Sequence, residues 1–190
     1  MKTWNVNQTS CRNRQRMGFT MVEMVGVLAV IAILASMLTP KILSAINDAR
    51  LNSTVGSLNA VKAATVNYFG KYGNFTNTAN FDNLLVSLEF LERPFDCRLG
   101  SGADVQVVSG PGAAGAGYKF DGITTNTASA GVVVECLISN VYIADAWDLS
   151  RRIDGDSLSA TNSSTADTAG RVVYSYATGK GTVYIYMAHR

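Results

Sequence analysis

The sequence predicts an α+β fold: one long N-terminal helix, membrane-spanning in its first half and amphipathic in its second, packed on a C-terminal antiparallel β-sheet. Three observations predict it. An apolar run from Phe19 to Leu38 carries a single charge, Glu23. Beyond Pro40 the apolar residues recur at helical steps as far as Phe69. After residue 100 the chain turns to glycine-rich joints between short segments of alternating, β-branched and aromatic residues, which is strand chemistry.

Residues 1–18 hold Lys2, Arg12, Arg14 and Arg16 and no acid, a local charge of +4 in a chain of net +2. They show no periodicity and read as a leader peptide. The remaining chain has 12 basic against 14 acidic residues, so nucleic-acid binding, which needs clustered Lys and Arg, is not indicated. The run Phe19–Leu38 has 20 residues, enough for a hydrocarbon core of about 30 Å. The basic flank places residues 1–18 in the cytoplasm and the rest outside. An ordinary secretory signal, cut after Ile33-Leu34-Ala35, is the alternative.

Pro40 removes a backbone donor and crowds the preceding turn, so a kink or loosening is expected near Ser36–Pro40. Past it, Ile42, Leu43 and Ile46 begin an apolar face that Leu51, Val55, Leu58, Val61, Val66 and Phe69 continue. Gly70 and Gly73 are candidate stops. A helix from Phe19 to Phe69 is about 75 Å long at 1.5 Å per residue, more than a compact domain of this size encloses. The expected organisation is a leader (1–18), a transmembrane or filament-core half-helix (19–39), an amphipathic half-helix (40–73) and a globular α+β head (74–190).

Within the head, a short helix is expected from Asp82 to Leu91, capped by Asn80 or Asp82 and limited by Pro94. Strand candidates are Val105–Val108, Tyr118–Phe120 and Val132–Ile138, with Val141–Ile143 extending or following the last. Val132–Ile138 is the strongest, with Val132, Val134, Cys136 and Ile138 on one face and Glu135 on the other. Ala146–Ile153 reads as a helix ending at Gly155, and Ser157–Gly170 as an exposed polar loop. Arg171–Ala177 and Thr182–Ala188 flank Thr178-Gly179-Lys180-Gly181 as a hairpin, in which Val183, Ile185 and Met187 alternate with Tyr184 and Tyr186. The apolar face of such a sheet needs a cover, and the outer half of the long helix offers one.

A carboxylate inside a membrane-length segment costs about 2.5–3.5 kcal/mol on insertion scales, so Glu23 requires a reason. Gly18-Phe19-Thr20-Met21-Val22-Glu23, preceded by a basic leader and followed by an apolar run with Pro40, resembles the cleavage and methylation motif of type IV pilins and type II secretion pseudopilins. The resemblance covers roughly residues 12–45. It implies that a prepilin peptidase cuts after Gly18 and that Phe19 becomes an N-methylated terminus, with Thr20 and Met21 in the peptidase-contact region. It further implies that Glu23 and Pro40 serve assembly of copies of the chain, and related pilins, into a helical filament on an inner-membrane platform. The head then lies in the periplasm before assembly, and the filament in the periplasm or at the cell surface. The physical sense is that the cut exposes an amine at Phe19, which a carboxylate in low dielectric neutralises. Pairing with a neighbour's amine at one axial stagger then selects register, because an unpaired charge there is penalised. Against this stands a non-enzymatic binding domain, either secreted or held by a plain membrane anchor with Glu23 at the interface.

Cys11 lies in the leader, leaving Cys97 and Cys136 to pair in an oxidising compartment or to remain as two buried thiols. A bridge is worth roughly 4 kcal/mol by chain entropy. No cofactor is expected. Asp154-Gly155-Asp156 is a weak calcium candidate, but the following spacing is not that of an EF-hand, and a turn with solvated acids is favoured. The sole histidine, His189, sits beside the C-terminus, so no Ser-His-Asp arrangement is convincing and no enzymatic activity is expected. Tyr174, Tyr176, Tyr184 and Tyr186 read as half-buried strand aromatics. Arg151, Arg152 and Arg171 are too few to argue for DNA uptake.

Overall fold

The computed structural model describes residues 18–190; the leader up to residue 17, with Cys11, lies outside them. The described residues fall into two units divided after Ser44, and helix α1 is Met21–Tyr72. The helix is continuous through Pro40, where loosening was expected. Hydroxyls beside that position turn back onto the helix: Ser36 donates to the Ile33 carbonyl and Thr39 to that of Ala35, each at 2.8 Å. The helix ends at Gly73, whose φ of +67° suits glycine alone without strain and whose N–H closes on the Phe69 carbonyl at 2.7 Å.

Within the second unit α1 buries Leu51, Thr54, Leu58, Val61, Ala64, Thr65 and Tyr68. The expected stripe holds only from Leu51 to Val61, with Val55 half-buried: Ile42, Leu43 and Ile46 before it and Val66 and Phe69 after it are exposed. A helix advances about 100° per residue, so Ala64 and Tyr68 stay on the buried face while Val66 rotates off it. The buried threonines satisfy themselves, Thr54 donating to the Arg50 carbonyl and Thr65 to that of Val61. Tyr68 anchors the end of the stripe, edge-on to Phe81 (5.1 Å between centroids) and Phe90 (5.9 Å).

Helix α2 (Phe81–Ser87) is shorter than expected. Glu89 takes φ +61°, and the N–H groups of Phe90 and Leu91 both turn back to the Leu85 carbonyl. Asn80 is at the N-cap but makes no side-chain cap, and Asp82 instead accepts the Phe95 N–H at 3.0 Å.

The sheet comprises β1 (Gly102–Ser109), β2 (Val132–Tyr142), β3 (Val172–Val173) and β4 (Lys180–His189), in the order β1-β2-β4-β3, antiparallel throughout. β2 is central, as its composition predicts. Its inner face carries Val134, Cys136 and Ile138, opposite Val107, Val105 and Ala103 of β1. Val183, Ile185 and Met187 of β4 are buried with them. These residues and the buried stripe of α1 form one hydrophobic core, so the second half of the helix is the cover the sheet requires.

Three segments differ from expectation. Tyr118–Phe120 is not a strand: Lys119 makes one isolated bridge to Gly170, and Tyr118 N–H goes to Thr127 Oγ1. Ile143 does not prolong β2 but opens helix α3 (Ile143–Asp154). The hairpin partner shrinks to two residues because Tyr174 leaves β4 to pair with Asp167.

The outer face of the sheet is also covered. The glycine-rich stretch after β1, including a 3-10 turn at Ala113–Gly115, lies over it and forms a second core of Ala113, Tyr118, Val133 and Val173. Glu135, placed on that face by alternation, is thereby buried. Its carboxylate accepts Gln106 Nε2 (2.8 Å), Ala113 N–H (2.6 Å) and Tyr118 O–H (2.8 Å). Gly112 permits the approach: a Cβ there would stand 2.9 Å from Val133 and 3.0 Å from the Glu135 carboxylate, at φ +76°.

Candidate functional site

The start of α1 gathers the residues singled out in the sequence. Gly18, Phe19 and Thr20 precede the helix, and all are exposed. Thr20 and Glu23 form a reciprocal capping box. The Glu23 Oε2 atom accepts Thr20 N–H and Thr20 O–H, each at 2.8 Å, while Thr20 Oγ1 accepts Glu23 N–H at 3.3 Å. This satisfies backbone donors that the first turn otherwise leaves open. Among the described residues Glu23 Oε1 has no hydrogen bond, so one face of the carboxylate is committed locally and the other is open. Sequence reasoning placed Thr20 only in a peptidase-contact role. The Thr-x-x-Glu spacing ahead of an apolar run carried the capping signal.

Among the described residues Gly18 has no close neighbour. A Cβ there meets nothing within 4 Å, and its φ is not one that excludes other residues. From Phe19 to Ile46 the large apolar side chains are all exposed, Phe19 at 80% and Met21 at 88%. Among the described residues α1 is the one helix long and apolar enough to cross a membrane. Helix hydrogen bonds settle its backbone internally, as a membrane requires.

The other candidates have different employment. Asp154 is not a solvated acid: its side chain is 1% exposed. Its Oδ2 accepts Arg171 N–H and Val172 N–H and its Oδ1 accepts Arg171 Nε at 3.0 Å, which ties the end of α3 to β3. Asp156 is exposed and pairs with Arg151, which holds its carboxyl below the usual range. Arg152 pairs with Asp48. His189 Nδ1 hydrogen-bonds the Tyr186 hydroxyl at 2.6 Å on the surface. Among the described residues no group of three or more His, Cys, Asp or Glu is placed to hold a metal. Cys97 and Cys136 are free thiols, Cys136 buried in the main core and Cys97 half-buried against it. Burial pushes both thiols up, Cys136 strongly.

The polar run Ser157–Gly170 also departs from its composition. Asp167 is buried and organises it, accepting Ser150 Oγ (2.7 Å), Ala160 N–H (3.1 Å) and Ala169 N–H (3.1 Å).

Residues 13–39 match the prokaryotic N-terminal methylation motif. No curated protein and no solved structure matches the chain. The chain thus carries a prepilin-type methylation motif on a long helix whose second half packs against an antiparallel sheet, an arrangement consistent with the pilin and pseudopilin superfamily.

Proposed function

We propose that this chain is the precursor of a pilin-like structural subunit. It is cut after Gly18 by a prepilin peptidase, N-methylated at Phe19, and assembled through its apolar half-helix into a filament of the type IV pilus or secretion-pseudopilus kind. Before assembly the apolar half-helix spans the inner membrane with the head in the periplasm. On extraction it is buried against copies of itself. Subunits related by rotation plus translation make contacts that do not close, which yields a fibre.

The observation that carries the reading is the Gly18-Phe19 junction joined to Glu23. A glycine without close neighbours among the described residues precedes an acid whose carboxylate is half committed and half open. A new amine at Phe19 of a neighbouring subunit is the complement to the open oxygen, and a charge pair in low dielectric discriminates strongly between registers. The motif match over residues 13–39 supports the processing steps, and the exposed apolar helix supports assembly.

N-terminal sequencing and mass measurement of the cell-associated protein test this. Methyl-Phe19 is expected. Ser36 as first residue means ordinary secretion, and an intact Met1 means a plain anchor; either result overturns the reading.

A further inference from the structure

The head carries a fixed apolar knob at one edge of its sheet and an apolar groove at the other. Among the described residues beyond α1, Ile123 and Tyr142 are the exposed large apolar side chains, and Ile123 is 84% exposed. A lone exposed aliphatic group is ordinary; this one is held out on a fastened turn. The Asp121 carboxylate accepts the N–H of Ile123 at 3.0 Å, the N–H of Thr124 at 2.8 Å and the Thr124 hydroxyl. The hydroxyl first, and then the two amides, hold the Asp121 carboxyl down to about 2, so it is ionised at neutral pH. Lys119 precedes the turn and ties it to the β3 side, its carbonyl accepting Gly170 N–H at 2.8 Å. The Lys119 ammonium has no ion pair among the described residues.

The groove, of about 320 Å³, lies between α1 and residues 90–96. Small side chains at Ala60, Ala63 and Ala64 leave it open, and Leu91, Pro94 and Phe95 complete its apolar lining. Glu92, Arg93 and Asp96 also line it; all three are exposed, and none has an ion pair among the described residues. Phe95 N–H is bound by Asp82 of α2, the helix beside β1. In the strand order β1-β2-β4-β3, the groove and the Ile123 turn thus belong to opposite edges.

We propose that the Ile123 turn of one copy seats in this groove of a second copy. The aliphatic tip matches the apolar lining. Lys119 and ionised Asp121 flank the tip, while Glu92, Asp96 and Arg93 flank the groove, so each charge on the turn finds its opposite on the rim. A copy cannot fill its own groove from the far edge. Two joined copies still leave one turn and one groove free, so the contact is heterologous and propagates. This inference rests on the reading of the chain as an assembling subunit and adds a contact between heads to that of the apolar half-helices.

The test is cross-linking by a short bis-maleimide in cells that co-express two differently tagged full-length chains, Ile123→Cys and Ala60→Cys. Both positions are exposed, so the exchanges leave the core intact. Each single variant, with its native cysteines, is the blank, and Thr178→Cys, at an exposed position ahead of β4, replaces Ala60→Cys as the control. A mixed dimer joined between positions 123 and 60 is expected, mapped by peptide mass spectrometry. Ala63→Trp in the Ala60→Cys chain fills the groove from an exposed position and is expected to cut the yield at least about tenfold, the factor that burying one isoleucine supplies. No link between 123 and 60, an equal link to Thr178→Cys, or a yield untouched by Ala63→Trp overturns the proposal. Cutting at Gly18 and filament recovery are scored in cells expressing wild type. Cut and assembled chains without the link fail this inference alone, whereas an uncut leader fails the functional reading by itself.

Discussion

The proposed function gives Glu23 a second task beside the helix cap, and two substitutions separate them. Its Oε2 closes the capping box with Thr20, and its open oxygen is assigned to the amine of a neighbour. Glu23→Gln keeps an acceptor at the third helical position, where glutamine also serves a capping box, and removes the charge. Glu23→Ala removes both. Losing the cap costs about 1 kcal/mol, within a usual range of about 0.5–2. The ion pair is the larger quantity: two unit charges about 4 Å apart at an effective dielectric of about 20 interact by about 4 kcal/mol. At 1.4 kcal/mol per decade that is roughly a thousandfold in association. Both variants are therefore expected to be cut at Gly18 like wild type, yet to enter filaments far less well, with glutamine and alanine within about tenfold of each other. The assay is co-expression of tagged variant with untagged wild type, followed by the variant fraction in sheared filaments and in the membrane pool, by mass spectrometry. If Glu23→Gln assembles like wild type while Glu23→Ala does not, the carboxylate is a helix cap and the register argument is refuted.

Four further outcomes are expected. Gly18→Ala is expected to fold unchanged, because a Cβ there meets nothing among the described residues, but to be cut poorly; normal maturation on immunoblots contradicts the proposed junction. Tyr118→Phe removes one of three donors to the buried Glu135 carboxylate and destabilises the head by about 1.5–3 kcal/mol in urea unfolding; a loss under about 0.5 kcal/mol shows that the bond contributes little. Asp104 has its carboxyl raised by burial and by Asp82, so its ionised form opposes folding above its folded pKa, and this opposition fades as pH falls toward the unfolded value. Asp104→Asn should then exceed wild type in melting temperature at neutral pH, with the gap closing on acidification; a gap independent of pH refutes that assignment. In reduced protein, iodoacetamide should label Cys97 before unfolding and spare the fully buried Cys136; labelling of Cys136 in the native state, read by peptide mapping, contradicts the placement of β2.

Much of this architecture was legible in the sequence because the strongest signals were periodic. β2 declared itself through Val132, Val134, Cys136 and Ile138, and the alternation of Val183, Ile185 and Met187 gave β4 its inner face. The second half of α1 was only partly legible. Small and hydroxyl-bearing residues (Thr54, Ala64, Thr65) are buried there, and apolar Val66 and Phe69 are not. Hydropathy does not reveal a threonine that back-bonds its own helix. The covering of the outer sheet face was hidden because glycine-rich sequence reads as loop, whereas Gly112 is what lets that loop reach Glu135. The run Ser157–Gly170 looked solvated by composition, yet a single buried acid, Asp167, holds it together. At the candidate site the acid and the glycine stood out in the sequence, while the partnership of Thr20 with Glu23 was present as a four-residue spacing and was overlooked beside the peptidase motif.

That partnership has a bearing on maturation. Every atom of the box belongs to residues beyond the assigned scissile bond, since the donating amide joins Phe19 to Thr20. A cut after Gly18, as proposed, would thus break none of these bonds and would add a cation one residue ahead of the box. Precursor and product would then share the same first helical turn and differ there in charge.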